Sequence, residues 1–294
     1  MRQRFFIMML AVCTLFGLTR CGAVSPSAQK MDIKDFVDVE YECSYSLKFL
    51  DDTIKMIQGI EDVIKVKIGE DLSYQYSYNS YHWDSSYIAV TSTRNKEVIE
   101  RFMQNDRDRR NVNLRSDGRS RNNDFGKFRL YKDYKNKKIT VTDYISIHGF
   151  IYEEELIPQK WTIQDDTMTI ADYVCQKATC DYRGRSYEAW FTPDIPIVEG
   201  PWKFYGLPGL IMKLNDTEHH YEFELVEFRK IEEKIDAGEL SQNKLTKIER
   251  KEYLRMKFGI KGSMIRDADM ATIGMVSSSG GESDSRHNFI ERDF

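Results

Sequence analysis

The chain has 294 residues, 43 of them basic and 47 acidic, and a net charge of −4 at pH 7. Such a mildly acidic balance argues against nucleic-acid binding, which gathers positive charge on one face. Only three of the five cysteines lie beyond residue 23, an odd number and far from a disulfide framework, while 41% hydrophobic residues, with 13% aromatic, suffice for the core of one long domain.

The chain opens with a basic cap, Met1-Arg2-Gln3-Arg4, then an apolar run from Phe5 to Leu18 and a small-residue exit from Thr19 to Ala23. This is the pattern of a secretory signal segment, too short for the roughly 20 residues that a spanning helix needs. Residues 1–23 are therefore expected to be removed by a cut ahead of Val24. The mature protein is expected in the periplasm or cell envelope. Lipidation at Cys21 is the alternative, and the only route to a membrane, but Arg20 is large and charged where a lipoprotein site takes a small residue. Losing three arginines would leave 40 basic against 47 acidic residues.

Seven odd-numbered residues from Val37 to Phe49 are apolar and alternate with polar ones, which predicts a long strand with one buried face. Ile64, Val66 and Ile68 alternate with lysines. Leu72, Tyr74, Tyr76 and Tyr78 follow, with Gly69-Glu70-Asp71 as the hairpin connection. A short helix is predicted over Asn95–Gln104, from the spacing of Val98, Ile99, Phe102 and Met103, and a polar loop from Asn105 to Asp124. Further strands are predicted at Phe128–Tyr134, Lys138–Asp143, Ile145–Tyr152, Trp161–Ile163, Tyr173–Asp181, Ser186–Thr192, Leu210–Leu214 and Tyr221–Phe228. A β domain over residues 24–228, a charged helical extension over 229–274 and a disordered tail over 275–294 complete the expected organisation. The fold class is mainly β: a single curved antiparallel sheet or open half-barrel with a few helices.

Cys43, Cys175 and Cys180 remain after processing. On a straight strand Cys175 and Cys180 stand about 16 Å apart, too far to bond; either a turn lies between them or one of them meets Cys43. Motifs for phosphate, dinucleotide or zinc-hydrolase chemistry are absent. His82 with Asp84, or His219 with His220, supply metal-ligand types, but neighbouring histidines on a strand point to opposite faces. No metal, cofactor or catalytic residue is assigned. The rival reading is an envelope hydrolase with His82, His148 or His219 near an acid.

Residues 199–214 read Glu-Gly-Pro-Trp-Lys-Phe-Tyr-Gly-Leu-Pro-Gly-Leu-Ile-Met-Lys-Leu. The hexapeptide Gly206-Leu207-Pro208-Gly209-Leu210-Ile211, with flanks Tyr173–Thr179, Arg183-Gly184-Arg185, Ala189-Trp190-Phe191-Thr192 and Ile195-Pro196, resembles the GLPGLI family of Bacteroidetes envelope proteins. That resemblance implies an exported protein and no established activity. The stretch from Trp161 onward is also similar to one edge of the curved sheets of periplasmic lipoprotein carriers, which implies a half-barrel.

By its residues alone, the hexapeptide predicts a type II turn, with Pro208 fixing one φ and Gly209 taking the positive one, at a rigid apolar corner. The functional expectation is a lip over a ligand cavity, made by Trp190, Trp202, Phe204, Tyr205, Gly206, Leu207, Pro208, Gly209, Leu210 and Ile211. Its occupant is expected to be a small apolar or peptide-like molecule, or the partner an outer-membrane protein. Thr53 and Thr167, in Asp-Thr-apolar triplets, are expected sites of O-glycosylation.

Overall fold

In the computed structural model the described residues are 36–52, 57–58, 61–81, 127–145, 148–236, 245–262 and 290–293. The segments carrying Cys21, Thr53, His82, Asp84 and the predicted 95–104 helix lie outside them. The strands are β1 (Phe36–Asp52), β2 (Ile57–Gln58), β3 (Asp62–Ile68), β4 (Leu72–Ser77), β5 (Arg129–Asp133), β6 (Lys138–Ile145) and β7 (His148–Glu155). They continue with β8 (Thr162–Ile170), β9 (Tyr173–Tyr182), β10 (Arg185–Thr192), β11 (Leu210–Asp216), β12 (Tyr221–Asp236) and β13 (Leu245–Lys247), before helix α1 (Arg250–Gly262). Among the described residues no helix is long and apolar enough to cross a membrane.

One open sheet runs β13-β7-β6-β5-β4-β3-β1-β12-β11-β10-β9-β8, with β2 paired to β1 off this path. Every pairing is antiparallel except β13 with β7. The long strands β1 and β12 form the spine, paired from Phe36↔Asp236 to Phe49↔Tyr221 with register shifts between Val39 and Tyr41 and between Ser44 and Tyr45. In a flat sheet β7 and β9 would lie roughly 40 Å apart, at about 4.8 Å per strand. Yet Arg183, at the end of β9, meets Glu154 of β7 at 2.6 Å. The sheet is curled into a half-barrel whose terminal strands do not pair.

The core fills the concave face, with Tyr45, Leu47, Ile64, Val66, Leu130, Val141, Phe191, Leu214 and Phe223 buried against one another. A smaller cluster covers part of the other face: Val39, Tyr74, Tyr76, Tyr131, Ile231 and Ile235. The seven-residue face expected of β1 is thus split. A register shift between Val39 and Tyr41 leaves Tyr41 packed against the main core and puts Val37 and Val39 in the second cluster.

Two predicted segments take different forms. Residues 229–236 extend β12 instead of starting a helix, because Ile231 and Ile235 pack on the outer cluster and Arg229 pairs with Glu42 of β1 at 2.7 Å. Residues 290–293, expected within a disordered tail, are docked: Arg292 N–H donates to Arg183 O at 2.8 Å, and Tyr187 OH to Ile290 O at 2.8 Å. Cys43, Cys175 and Cys180 are buried free thiols, with the latter pair on uninterrupted β9 and neither joined to Cys43.

Candidate functional site

The connection from Pro193 to Gly209, between β10 and β11, lies inside the curl of the sheet. A buried loop has backbone groups that no strand satisfies, so side chains must do so. Here Gln75 donates to Gly200 O at 3.1 Å, and Lys132 Nζ to Gly200 O at 3.2 Å and Phe204 O at 2.9 Å. Gln159 brackets the chain, donating to Lys203 O at 3.1 Å and accepting from Tyr205 N–H at 3.0 Å. Trp161 Nε1–H reaches Tyr205 O at 2.9 Å, and Tyr45 OH reaches Ile211 O at 2.8 Å. These bonds explain why the polar residues of β4 and β5 point into the protein.

Two buried lysines anchor the loop. Lys132 forms an ion pair with Glu199, whose other carboxylate oxygen accepts from Tyr134 OH. Burial lowers the Lys132 pKa, and the Glu199 charge offsets this only in part. Burial, then the Glu199 charge, raises Tyr134 well above the ordinary phenol range. On the other side Lys203 pairs with Glu154 and with Glu291, the latter at 2.6 Å. Glu291 also accepts from Trp202 Nε1–H at 3.2 Å and from Arg250 at 2.7 Å. Burial drives the Glu291 carboxyl upward, but Lys203, Arg250 and Arg183 together hold it below its usual value.

The hexapeptide is a tight corner of a different kind from the one expected. Gly209 N–H donates to Leu207 O at 2.8 Å, closing a three-residue γ-turn centred on Pro208 in place of a type II turn. Gly209 has φ 148°, and a Cβ there would stand 2.0 Å from Thr192 O. The same i to i+2 bond recurs at Ile197 N–H to Ile195 O (2.7 Å) and Glu199 N–H to Ile197 O (2.9 Å). Trp202 takes φ 54°, held by its bond to Glu291 and an edge contact with Phe128 at 4.9 Å.

Most of the expected lip is packed interior. Trp202, Phe204, Leu207, Leu210 and Ile211 belong to the main core. Gly206 and Pro208 are exposed, Gly209 is buried, and Trp190 is half-buried against the main core with Lys177 over its ring at 5.8 Å. Only Tyr205 of the ten lines an open cavity of about 450 Å³. Its other walls are Glu40 and Tyr41 of β1, Ile68 with Gly69 and Glu70 at the β3–β4 turn, Tyr134, and the loop residues Pro196 to Glu199. Tyr134 and Tyr205 face each other at a tilt, 6.3 Å between centroids, while Tyr41 is stacked on Phe228 at 5.6 Å. Burial first, and then the Glu199 and Tyr182 charges, push the Tyr205 hydroxyl up to about 12. Sequence reasoning missed Tyr41, Tyr134 and Glu199 as wall residues; the one signal was an acid, Glu199, inside an otherwise apolar Pro-rich run.

The histidines form no catalytic group among the described residues. His148 is on β7, and exposed His219 contacts Glu222 at 2.8 Å. His220 lies 3.4 Å from Glu218 and 3.9 Å from Asp216, a trio whose ligand atoms fall within 4.8 Å of one another. Two guanidiniums already match those carboxylates: Arg185 reaches Asp216 at 2.7 Å and Arg292 reaches Glu218 at 2.8 Å. The two carboxylates are thus taken up by ion pairs, and burial lowers the His220 pKa. Thr167 is exposed on edge strand β8.

Residues 182–213 match the family described as "Protein of unknown function (Porph_ging)". No curated protein matches this chain. Two solved structures of PNGF-II, in different crystal forms, are similar at 16% identity and a TM-score of 0.48. The alignments cover 74% of this chain but only 33% and 32% of those chains.

Proposed function

We propose that this is an exported envelope protein of the GLPGLI type that binds a small apolar or peptide-like ligand without transforming it. The observation that carries the reading is the cavity of about 450 Å³ beside Tyr205, within the roughly 300–1,000 Å³ typical of ligand sites. Its walls combine aliphatic Ile68, Ile197 and Val198 with three tyrosines, so burial would drive binding and a few polar groups would orient the ligand. The adjoining Lys132 is fully buried, with its Nζ taken up by Glu199, Gly200 O and Phe204 O, and it is not among the cavity's wall residues. That favours a holding role over catalysis. Export is supported by the basic cap and apolar run of residues 1–23, and the GLPGLI assignment by the intact hexapeptide and its flanks.

Native mass spectrometry of protein purified gently from its own host tests the reading. The expected spectrum carries excess mass that is lost on denaturation. The bare chain mass under both conditions, together with failure of any amphiphile to bind, would overturn it.

A further inference from the structure

We propose that the cavity selects a ligand carrying one positive charge on an apolar body, an alkylammonium or a lipophilic amine. The inference rests on the reading of the cavity as a ligand site, and adds the sign of the ligand's charge. Three carboxylates, Glu40, Glu70 and Glu199, are among the wall residues, and among the described residues no lysine or arginine is. Lys230, opposite Tyr41 across the β1–β12 ladder, is not part of the wall.

The carboxylates are not equivalent. Glu199 is spent: it carries the Lys132 ion pair, accepts from Gly200 N–H at 2.8 Å and from Tyr134 OH, and so forms a neutral floor. Glu40 and Glu70 are exposed at the mouth, with no hydrogen-bond or ion-pair partner among the described residues. They leave the entrance with negative charge that nothing in the wall matches. Tyr41 and Tyr134 add to the preference, because a cation is drawn to the negative face of an aromatic ring within about 6 Å; Tyr205 already has Lys132 Nζ 5.6 Å from its ring centre. Among the described residues an anionic headgroup would meet two exposed carboxylates and no uncommitted cation in the wall, since Lys132 is held by Glu199, Gly200 O and Phe204 O.

Three probes of one chain length separate charge from apolarity: octyltrimethylammonium, octanol and octanoate, titrated calorimetrically into the full chain at low salt. The ammonium is expected to bind at least about ten-fold more tightly than octanol, a difference of about 1.4 kcal/mol, with octanoate weakest. The double substitution Glu40→Gln with Glu70→Gln alters only exposed side chains. It should bring the ammonium down to the octanol level and leave octanol unchanged.

Equal binding of ammonium and octanol, or tighter binding of octanoate, would overturn the charge preference while the pocket survived. Binding of none of the three would sink both readings. Val198→Trp, an exposed position whose larger ring would fill the cavity, should abolish binding of all three; unchanged binding there would assign the probes to another place and refute the proposal.

Discussion

At the residue scale, the loop that fills the curled sheet depends on positions whose role comes from what they meet in space. Gly209 is the sharpest case. Its φ of 148° and the 2.0 Å that a Cβ would leave to Thr192 O forbid a side chain without backbone movement. Gly209→Ala is therefore expected to cost about 3 kcal/mol, seen as a lowered urea midpoint at unchanged slope. A loss under about 0.5 kcal/mol would show that the corner yields freely. The sequence announced this corner, because Pro-Gly between apolar residues marks a turn. It did not announce the γ-turn geometry, since both turn types favour the same residues. Nor did it announce Gln75, Lys132 and Gln159. Each reads as an ordinary polar strand or loop residue until a loop many residues away brings carbonyls that need donors.

At the element scale, the short segment Ile290–Asp293 locks the loop from its second side. Glu291 is nearly fully buried and is the counter-ion of fully buried Lys203. Glu291→Ala leaves Lys203 with Glu154 alone and takes one carboxylate from Arg250, so it is expected to destabilise by about 3 kcal/mol, the low end for a broken buried pair. The double change Lys203→Met with Glu291→Leu should lose much less than the two singles combined, because it removes both charges together. Additive losses in the double-mutant cycle would contradict the coupling. Composition hid this segment: Glu291-Arg292-Asp293 looks like solvated tail, and only its cationic socket of Lys203, Arg250 and Arg183 makes it interior. The charged end of β12 was hidden for another reason. Ile231 and Ile235 stand four apart, which suits one face of a helix and one face of a strand equally well, and only pairing with β1 decides between them. The hairpins were legible: Gly69-Glu70-Asp71 and Arg183-Gly184 turn the chain where their residues predict.

At the scale of the whole molecule, ion pairs close the half-barrel where no strand pairing does and others tie neighbouring strands, and together they make its stability sensitive to acid. Burial pushes the Glu42 carboxyl up, but hydrogen bonds and charges from Arg229 and Lys65 together hold it below its ordinary value; for Glu153 the Lys138 hydrogen bond leads and, with Lys247, outweighs burial. Glu291 and Asp293 are lowered likewise: burial opposes, but the neighbouring cations prevail. A carboxylate depressed in the folded state contributes its stabilisation above its unfolded pKa and loses it as pH falls through the folded value. The melting temperature should therefore drop as pH falls below about 4. Asp62, raised by burial, works in the opposite direction and is outnumbered. Glu42→Gln should flatten the acid limb, and an unchanged limb would show that these pairs do not govern it.

The curved mainly β fold was readable in alternation and turns. The cavity was not, since its walls come from β1, the β3–β4 turn, Tyr134 and the β10–β11 loop, which only curling brings together. That cavity carries the functional account, and methyl-resolved NMR of the isoleucines and valines during an octyltrimethylammonium titration tests it most directly. Saturable shifts are expected at Ile68, Ile197 and Val198, with Ile139 and Val141 of the packed core unmoved. Shifts centred near Trp190, or no saturable shift anywhere, would contradict it.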